Sequence, residues 1–304
     1  MKIAITGATS FLGINLLKEL AQDNTIYCLV RRNSPNNKNL ADIPNVIVIE
    51  CNLEELSSFV PNFTVDVFIH FGWAGAGSKL RQDLITQNKN YYYSLDAINL
   101  AIRLKAKLFV FSGSQAEYGI KHSLITETDE CNPKSYYGMA KYNFALKAAS
   151  ILKKHDINFL HLRIFSIYGE GDHKSTLINL CVNSFLQNKH IVLGPCTQLW
   201  NYLNILDFSK ITSKVIEYVL DNEIDLTINI ASHDTRVLRE FIMAIYKICN
   251  FGGSYEFSST NPNPEGLAEL NPSTFLLDKI IGNYEFISFE NEITKLVEAT
   301  LNEN

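Results

Sequence analysis

The stretch KIAITGATSFLGINLLKELAQ, Lys2 to Gln22, decides how this chain is read. KIAIT is an apolar run of strand length, and glycine follows it at once. FLGINLLKELAQ then carries apolar residues at helical spacing. Between them TGATSFLG, Thr6 to Gly13, has Gly7 and Gly13 near its ends and Ser10 midway. A glycine turn lets the backbone come close to a ligand, and the first N–H groups of a helix favour an anion there. A strand, a glycine turn and a helix in that order at the start of the chain favour a place for a dinucleotide pyrophosphate, with a plain strand-to-helix connection as the rival reading.

Working outward, the strand signal recurs. NTIYCLVRR reads as a second strand, NVIVIE as a third after the polar loop NSPNNKN, and VDVFIHFGW as a fourth. AKLFVFSGS, INFLHLRIF and LTINIA (226–231) supply a fifth, sixth and seventh. YYYSLDAINLAIRLK reads as a helix between the fourth and fifth, and another helix precedes the sixth. Apolar strands alternating with helices predict a parallel sheet covered on both faces. The expected fold is α/β: a Rossmann-type doubly wound parallel sheet with a smaller C-terminal substrate-binding lobe. Residues 1–165 would form the dinucleotide-binding domain, with a return segment near 207–231, and residues 166–304 mainly the lobe. There, 175–189 reads as a helix, KHIVLG and WNYLNIL as short strands, and ENEITKLVEATL as a terminal helix. SSTNPNPEGLAELNPS is rich in Pro, Asn and Ser and reads as loop.

The chain has 304 residues, 46 % apolar and 19 % charged, which suits a globular protein of one or two domains. Its net charge of −5 and its lack of a basic block leave nucleic-acid binding without an electrostatic footprint. No run reaches the roughly 20 apolar residues of a membrane span, and no signal peptide is visible. Six scattered cysteines without a CxxC pair fit a reducing cytoplasm, and seven histidines show no metal-ligand spacing. The expectation is therefore a cytoplasmic protein with no metal.

SYYGMAKY, Ser135 to Tyr142, adds chemistry. Tyr137 and Lys141 are four apart, so a helix sets them on one face. An ammonium beside a phenol favours the phenolate, and a tyrosine tuned that way passes a proton to or from a carbonyl or alcohol oxygen. A solvated helix face is the rival explanation of such spacing taken alone.

With the glycine loop, these residues resemble the extended short-chain dehydrogenase/reductase superfamily, the NAD(P)-dependent nucleotide-sugar epimerase, dehydratase and reductase group. The family's loop is TGxxGxxG, and Ser10 stands at its middle glycine. The resemblance implies that Gly7, Thr9, Ser10, Phe11, Leu12 and Gly13 line the dinucleotide. Asn52 and Leu53 would lie near the adenine, and Phe71 and Gly72, after the fourth strand, along the cofactor. His70 has no chemical role in this reading, and Asn90 matches a family asparagine or caps a helix. Arg31 and Arg32 end the second strand, where an acidic residue would select NAD; arginines there suit a 2′-phosphate, so NADP(H) is preferred and NAD remains possible.

SGSQAEYG, Ser112 to Gly119, resembles the family's SSxxxYG and puts Ser114 at the catalytic Ser/Thr position. Ser114, Tyr137 and Lys141 would be the catalytic set, with Lys141 also on the nicotinamide ribose. Gln115 and Ala116 replace the Asp-Glu pair of the 4,6-dehydratases, which argues against dehydration. Glu117 falls one residue later, at a position that is usually apolar. LRIFSIYGEG, Leu162 to Gly171, resembles LRxFNVYGPG. Arg163, Ile164 and Phe165 would run beside the nicotinamide, and Ser166, in place of the usual Asn, would face the substrate. GPCTQLWNYLNILD has Trp200 and Asn201 where the family carries an arginine for the substrate pyrophosphate. Trp200 becomes a candidate substrate contact or a core residue, and Arg236 or Lys279 a candidate for the lost arginine.

The resulting expectation is NADPH-dependent reduction of a nucleotide-diphosphate 4-keto sugar, a 6-deoxy sugar foremost. The alternative is an NAD(P)-dependent nucleotide-sugar 4-epimerase. A cofactor-binding regulatory protein without turnover is the rival of another class, and the intact Ser, Tyr and Lys argue against it. A homodimer is expected from the resemblance alone.

Overall fold

A computed structural model of the chain describes residues 1–77, 80–260, 266 and 268–302. In chain order the first half runs β1 (Lys2–Thr6), α1 (Phe11–Leu20), β2 (Thr25–Val30), β3 (Val46–Glu50), β4 (Val67–His70), α2 (Leu84–Arg103), β5 (Leu108–Ser114), α3 (Tyr136–Leu152) and β6 (Asn158–Ile164). Then come β7 (Ser166–Tyr168), α4 (Leu177–Leu186), β8 (His190–Leu193), β9 (Leu199–Asn204), α5 (Ile205–Asn222) and β10 (Leu226–Ile230). The last elements are β11 (Thr235–Val237), α6 (Leu238–Ile248), β12 (Ser254–Phe257), α7 (Phe275–Ile281) and α8 (Phe289–Asn302).

Seven parallel strands form the main sheet in the order β10-β6-β5-β4-β1-β2-β3. Both faces are covered, so β4 and β5 are buried throughout and read as continuous apolar runs rather than alternating ones. α1 and α5 close one face: Leu16, Leu17, Phe208, Ile211 and Val215 are fully buried with the sheet's Ile3, Ile5 and Val110. Each such side chain contributes about 1.5–3 kcal/mol. α2 and α3 close the other through Ala97, Ile98, Phe144 and Ala148, against Phe68, Phe109 and Phe111. Strand order reverses between β1 and β4, and in open α/β sheets the crevice outside the C-terminal strand ends at such a switch point is where ligands bind.

The remaining strands make two small sheets, β11-β9-β7 and β12-β8. With α4, α6 and α8 they surround a separate core of Tyr168, Phe185, Phe241 and Phe289. The predicted seventh strand joins the main sheet at its edge beside β6. WNYLNIL divides: Asn204 ends β9 and caps α5, its Oδ1 accepting the Leu206 N–H at 2.8 Å. α2 starts at Leu84, ahead of the predicted start, because Asp83 caps it by accepting the Thr86 N–H at 2.9 Å. Part of the predicted 258–273 loop, residues 261–265 and 267, lies outside the described residues.

Among the described residues, no helix is long and apolar enough to cross a membrane, and no group of three or more His, Cys, Asp or Glu could hold a metal. The six cysteines are free.

Candidate active site

At the crevice, Gly7 turns with φ +75°, and a Cβ on Gly13 would collide with the Gly7 carbonyl oxygen. The first turn of α1 therefore presses directly against the end of β1. Ser10 holds this turn closed: its hydroxyl donates to Gly7 O at 2.7 Å and accepts the Gly13 N–H at 3.1 Å. A serine at the middle glycine thus becomes a helix cap, and the loop keeps its form. Thr9, Phe11 and Leu12 are half-buried around the helix start. Phe71 and Gly72 lie across the switch point, with the Gly72 N–H donating to Thr6 Oγ1 at 3.2 Å. Ile164 ends β6 in register with Ser114.

His70 lies fully buried between Thr6 Oγ1 (2.8 Å) and Ser94 Oγ (2.9 Å). Burial, reinforced by the Lys141 charge, lowers its pKa to about 3, so it is a neutral, satisfied core histidine. Asn90 is no helix cap. It clamps the loop after β4, accepting the Ala74 N–H at 3.0 Å and donating to Ala74 O at 2.7 Å.

Arg31 and Arg32 are exposed at the end of β2. The Arg32 N–H donates to Asn52 Oδ1 at 3.1 Å, and its guanidinium lies 3.3 Å from the Glu55 carboxylate. Glu55 also accepts the Asn52 N–H at 2.8 Å and follows Leu53 in a short turn. The sequence reading overlooked this acidic neighbour, which lies far beyond β2 in the chain.

Ser114, Tyr137 and Lys141 gather around the end of β5. Gly138 makes this possible, since a Cβ there would lie 2.6 Å from Ala116 O; the start of α3 is flush against the turn after Ser114. Ser135 caps α3 by accepting the Gly138 N–H at 3.2 Å. Ser114 is buried, and its Oγ accepts the Ala116 N–H at 3.2 Å. Lys141 is 2 % exposed and donates to Ser112 O, with Nζ 4.2 Å from the Trp73 ring and 5.4 Å from the Tyr137 ring. Burial lowers its pKa from 10.5 to about 7; the Glu117 charge opposes that shift and the Arg81 charge adds to it. Arg81 places its guanidinium 4.3 Å over the Tyr137 ring.

A cavity of about 740 Å³ opens beside this cluster, lined by Arg81, Gln115, Ala116, Lys134, Ser166 and Trp200 among others. Ser166 and Trp200 thus reach the expected cleft. Arg236 and Lys279 do not line it. The Arg236 guanidinium is taken by Asp234 (2.6 Å) and Glu290 (2.6 Å), and Lys279 packs over Phe275 at 4.1 Å. Arg236, the expected substrate contact, is thus held by two carboxylates away from this cavity. Among the described residues, the cations lining the cavity are Arg81 and Lys134, which the sequence reading missed. Lys134 lies just ahead of the Ser135 cap, at a helix N-terminus whose dipole itself favours an anion. The Arg163 side chain turns inward to Glu117 and the Tyr118 ring.

A parallel sheet with a glycine crevice at its switch point, joined to a Ser/Tyr/Lys cluster, defines a dinucleotide-binding α/β protein. Residues 3–231 match the NAD dependent epimerase/dehydratase family, and the chain belongs to it. It is 28 % identical over 198 residues to ADP-L-glycero-D-manno-heptose-6-epimerase of Brachyspira hyodysenteriae, covering 62 % of this chain and 61 % of that one. Over nearly its whole length, 97 % of each chain, it is 21 % identical to CDP-abequose synthase of Salmonella muenchen. Its fold matches UDP-glucuronic acid 4-epimerase from Bacillus cereus, solved with UDP-glucuronic acid and NAD. That match has a TM-score of 0.86, 19 % identity and full coverage of both chains.

Proposed function

We propose that this chain is an NAD(P)-dependent epimerase of a nucleotide-diphosphate sugar, acting at a ring carbinol carbon, C4 foremost. The observation that supports the reading is the packing of Lys141 against Ser112 O and the Tyr137 ring at the end of β5, next to Ser114 and to the Gln115 and Ala116 that line the cavity. The full-length likeness to a 4-epimerase fold favours this over the reduction expected from sequence.

The crevice residues fit a dinucleotide: the close approach at Gly13 leaves the α1 N–H groups facing the place of a pyrophosphate. When bound, the nicotinamide supplies the hydride acceptor and donor for the sugar carbon. Tyr137 takes the proton from the sugar hydroxyl as the C–O bond becomes a carbonyl, and returns it when the opposite configuration forms. Ser114 donates a hydrogen bond to the same oxygen, where charge develops. Lys141 favours negative charge on the phenol oxygen and would hold the ribose. Arg81 and Lys134 offer the diphosphate the cations that Arg236 does not. Trp200 offers a face for the nucleoside or sugar.

Reduction of a 4-keto nucleotide sugar is the second reading, favoured by Arg31 and Arg32 and by the full-length likeness to CDP-abequose synthase. One assay separates them. The protein is incubated with UDP-, ADP-, CDP- and dTDP-sugars and their 4-keto derivatives, and absorbance at 340 nm and NMR spectra are recorded. Interconversion of two epimers under catalytic dinucleotide supports epimerisation; consumption of one NADPH per 4-keto sugar transfers the assignment to reduction.

A further inference from the structure

Glu117 lies fully buried in the turn that follows Ser114. Its Oε1 accepts the Ser114 N–H at 2.8 Å, and His161 Nε2 hydrogen-bonds the same oxygen at 3.1 Å. Because a carboxylate can only accept, that histidine nitrogen carries a proton. Oε2 lies 3.0 Å from His161 Nε2 and 3.5 Å from Arg163 Nε. Arg163 is fixed in turn: its Nη1 donates to Glu127 O at 3.0 Å, and its guanidinium stacks 4.5 Å over Tyr118. The Tyr118 hydroxyl donates to Asn229 Oδ1 at 2.6 Å on β10. A network of this kind spans β5, β6 and β10, and it converges on one backbone N–H, that of Ser114.

Burying a carboxylate is costly and is kept only where partners compensate its charge. Burial resists ionisation of Glu117, but the His161 and Arg163 charges and the Ser114 N–H outweigh it, and its pKa lies below the ordinary value.

We propose that Glu117 is a positioning residue: its carboxylate, held between His161 and Arg163, clamps the Ser114 N–H and so fixes the Ser114 hydroxyl. The proposal rests on the Ser/Tyr/Lys reading of the site. Around Glu117 itself stand His161, Arg163 and the Cys131 thiol.

The test uses Glu117→Gln, which keeps an oxygen for the Ser114 N–H and removes the charge, and Glu117→Leu, which removes both. The Ser114 amide is followed by ¹H–¹⁵N NMR of ¹⁵N-serine protein without substrate, the resonance being assigned by its loss in Ser114→Ala. A bond to a carboxylate holds that proton downfield, so both variants are expected to shift it upfield, and Glu117→Leu to speed its exchange with solvent by roughly tenfold or more. On a nucleotide sugar that the protein turns over, Glu117→Gln should lower kcat at neutral pH by about tenfold with KM little changed. An unchanged Ser114 amide resonance in the folded variants overturns the proposal. So does a loss confined to thermal stability, with kcat and its pH profile unmoved. The NMR measurement needs no substrate, so it decides the role of Glu117 even if the epimerase reading fails. Should Glu117→Leu not fold, the glutamine variant carries the test.

Discussion

Replacing Lys141 by Met keeps the aliphatic stem and removes the ammonium. In the folded chain Lys141 is 2 % exposed, and burial takes its pKa from the ordinary 10.5 to about 7. Between those values the unfolded chain binds a proton that the folded chain does not, so stability rises with pH there, by up to about 1.4 kcal/mol per unit. Below pH 7 both states are protonated, and the contribution is flat at its least favourable. Integrating from pH 7 to pH 9, the wild-type protein gains about 2 kcal/mol relative to Lys141→Met. Other ionisable groups are common to both proteins and cancel to first order. Urea unfolding of the two proteins between pH 6 and pH 9, without dinucleotide, measures the difference. The two stabilities should run parallel at the acid end, and the wild type should gain on the variant above neutrality. A difference that stays constant from pH 6 to pH 9 would refute the reasoning, since it means Lys141 titrates as a solvated lysine.

Three further outcomes follow from the geometry. Gly13→Ala forces a Cβ onto the Gly7 carbonyl. It should weaken dinucleotide binding by roughly tenfold or more in a fluorescence titration. Arg31→Glu puts a carboxylate where a 2′-phosphate would sit, while Arg32 stays engaged by Glu55. The ratio of NADH to NADPH affinity should rise by about 10–100-fold, the worth of a charge-assisted hydrogen bond. α2 and α3 pack side by side and expose Ile85 (68 %), Tyr92 (63 %) and Leu146 (57 %), an apolar surface suited to a second copy of the chain. Light scattering should find a homodimer that Ile85→Glu converts to monomer.

The parts of the site that local chemistry specifies were legible in the sequence. The Gly7–Gly13 turn is set by backbone clearance over a few residues, and the Tyr137–Lys141 pair by one helical turn. Ser10 could be read as tolerable there, though its service as the α1 cap becomes visible only with coordinates. What the sequence hid depends on distant chain segments. Arg236 looked available until Glu290, brought in by α8, occupied it beside Asp234. Arg81 and Lys134 lie far apart in the chain and meet one cavity only because α2 and α3 pack side by side. Glu117 looked misplaced for catalysis, and its partners His161 and Arg163 come from the neighbouring strand. In the C-terminal part, α6 escaped notice, although its Phe241, Ile242 and Ile245 fall at helical spacing and are all buried.

The central claim is that Tyr137, supported by Ser114 and Lys141, moves the proton at a sugar carbinol. NMR-followed conversion of a nucleotide sugar by wild-type and Tyr137→Phe protein, each first shown to be folded and to bind dinucleotide equally, tests it most directly. The account predicts epimer formation by the wild type and a loss of roughly 10²–10⁴-fold in kcat in the variant. Equal rates for the two proteins would contradict it.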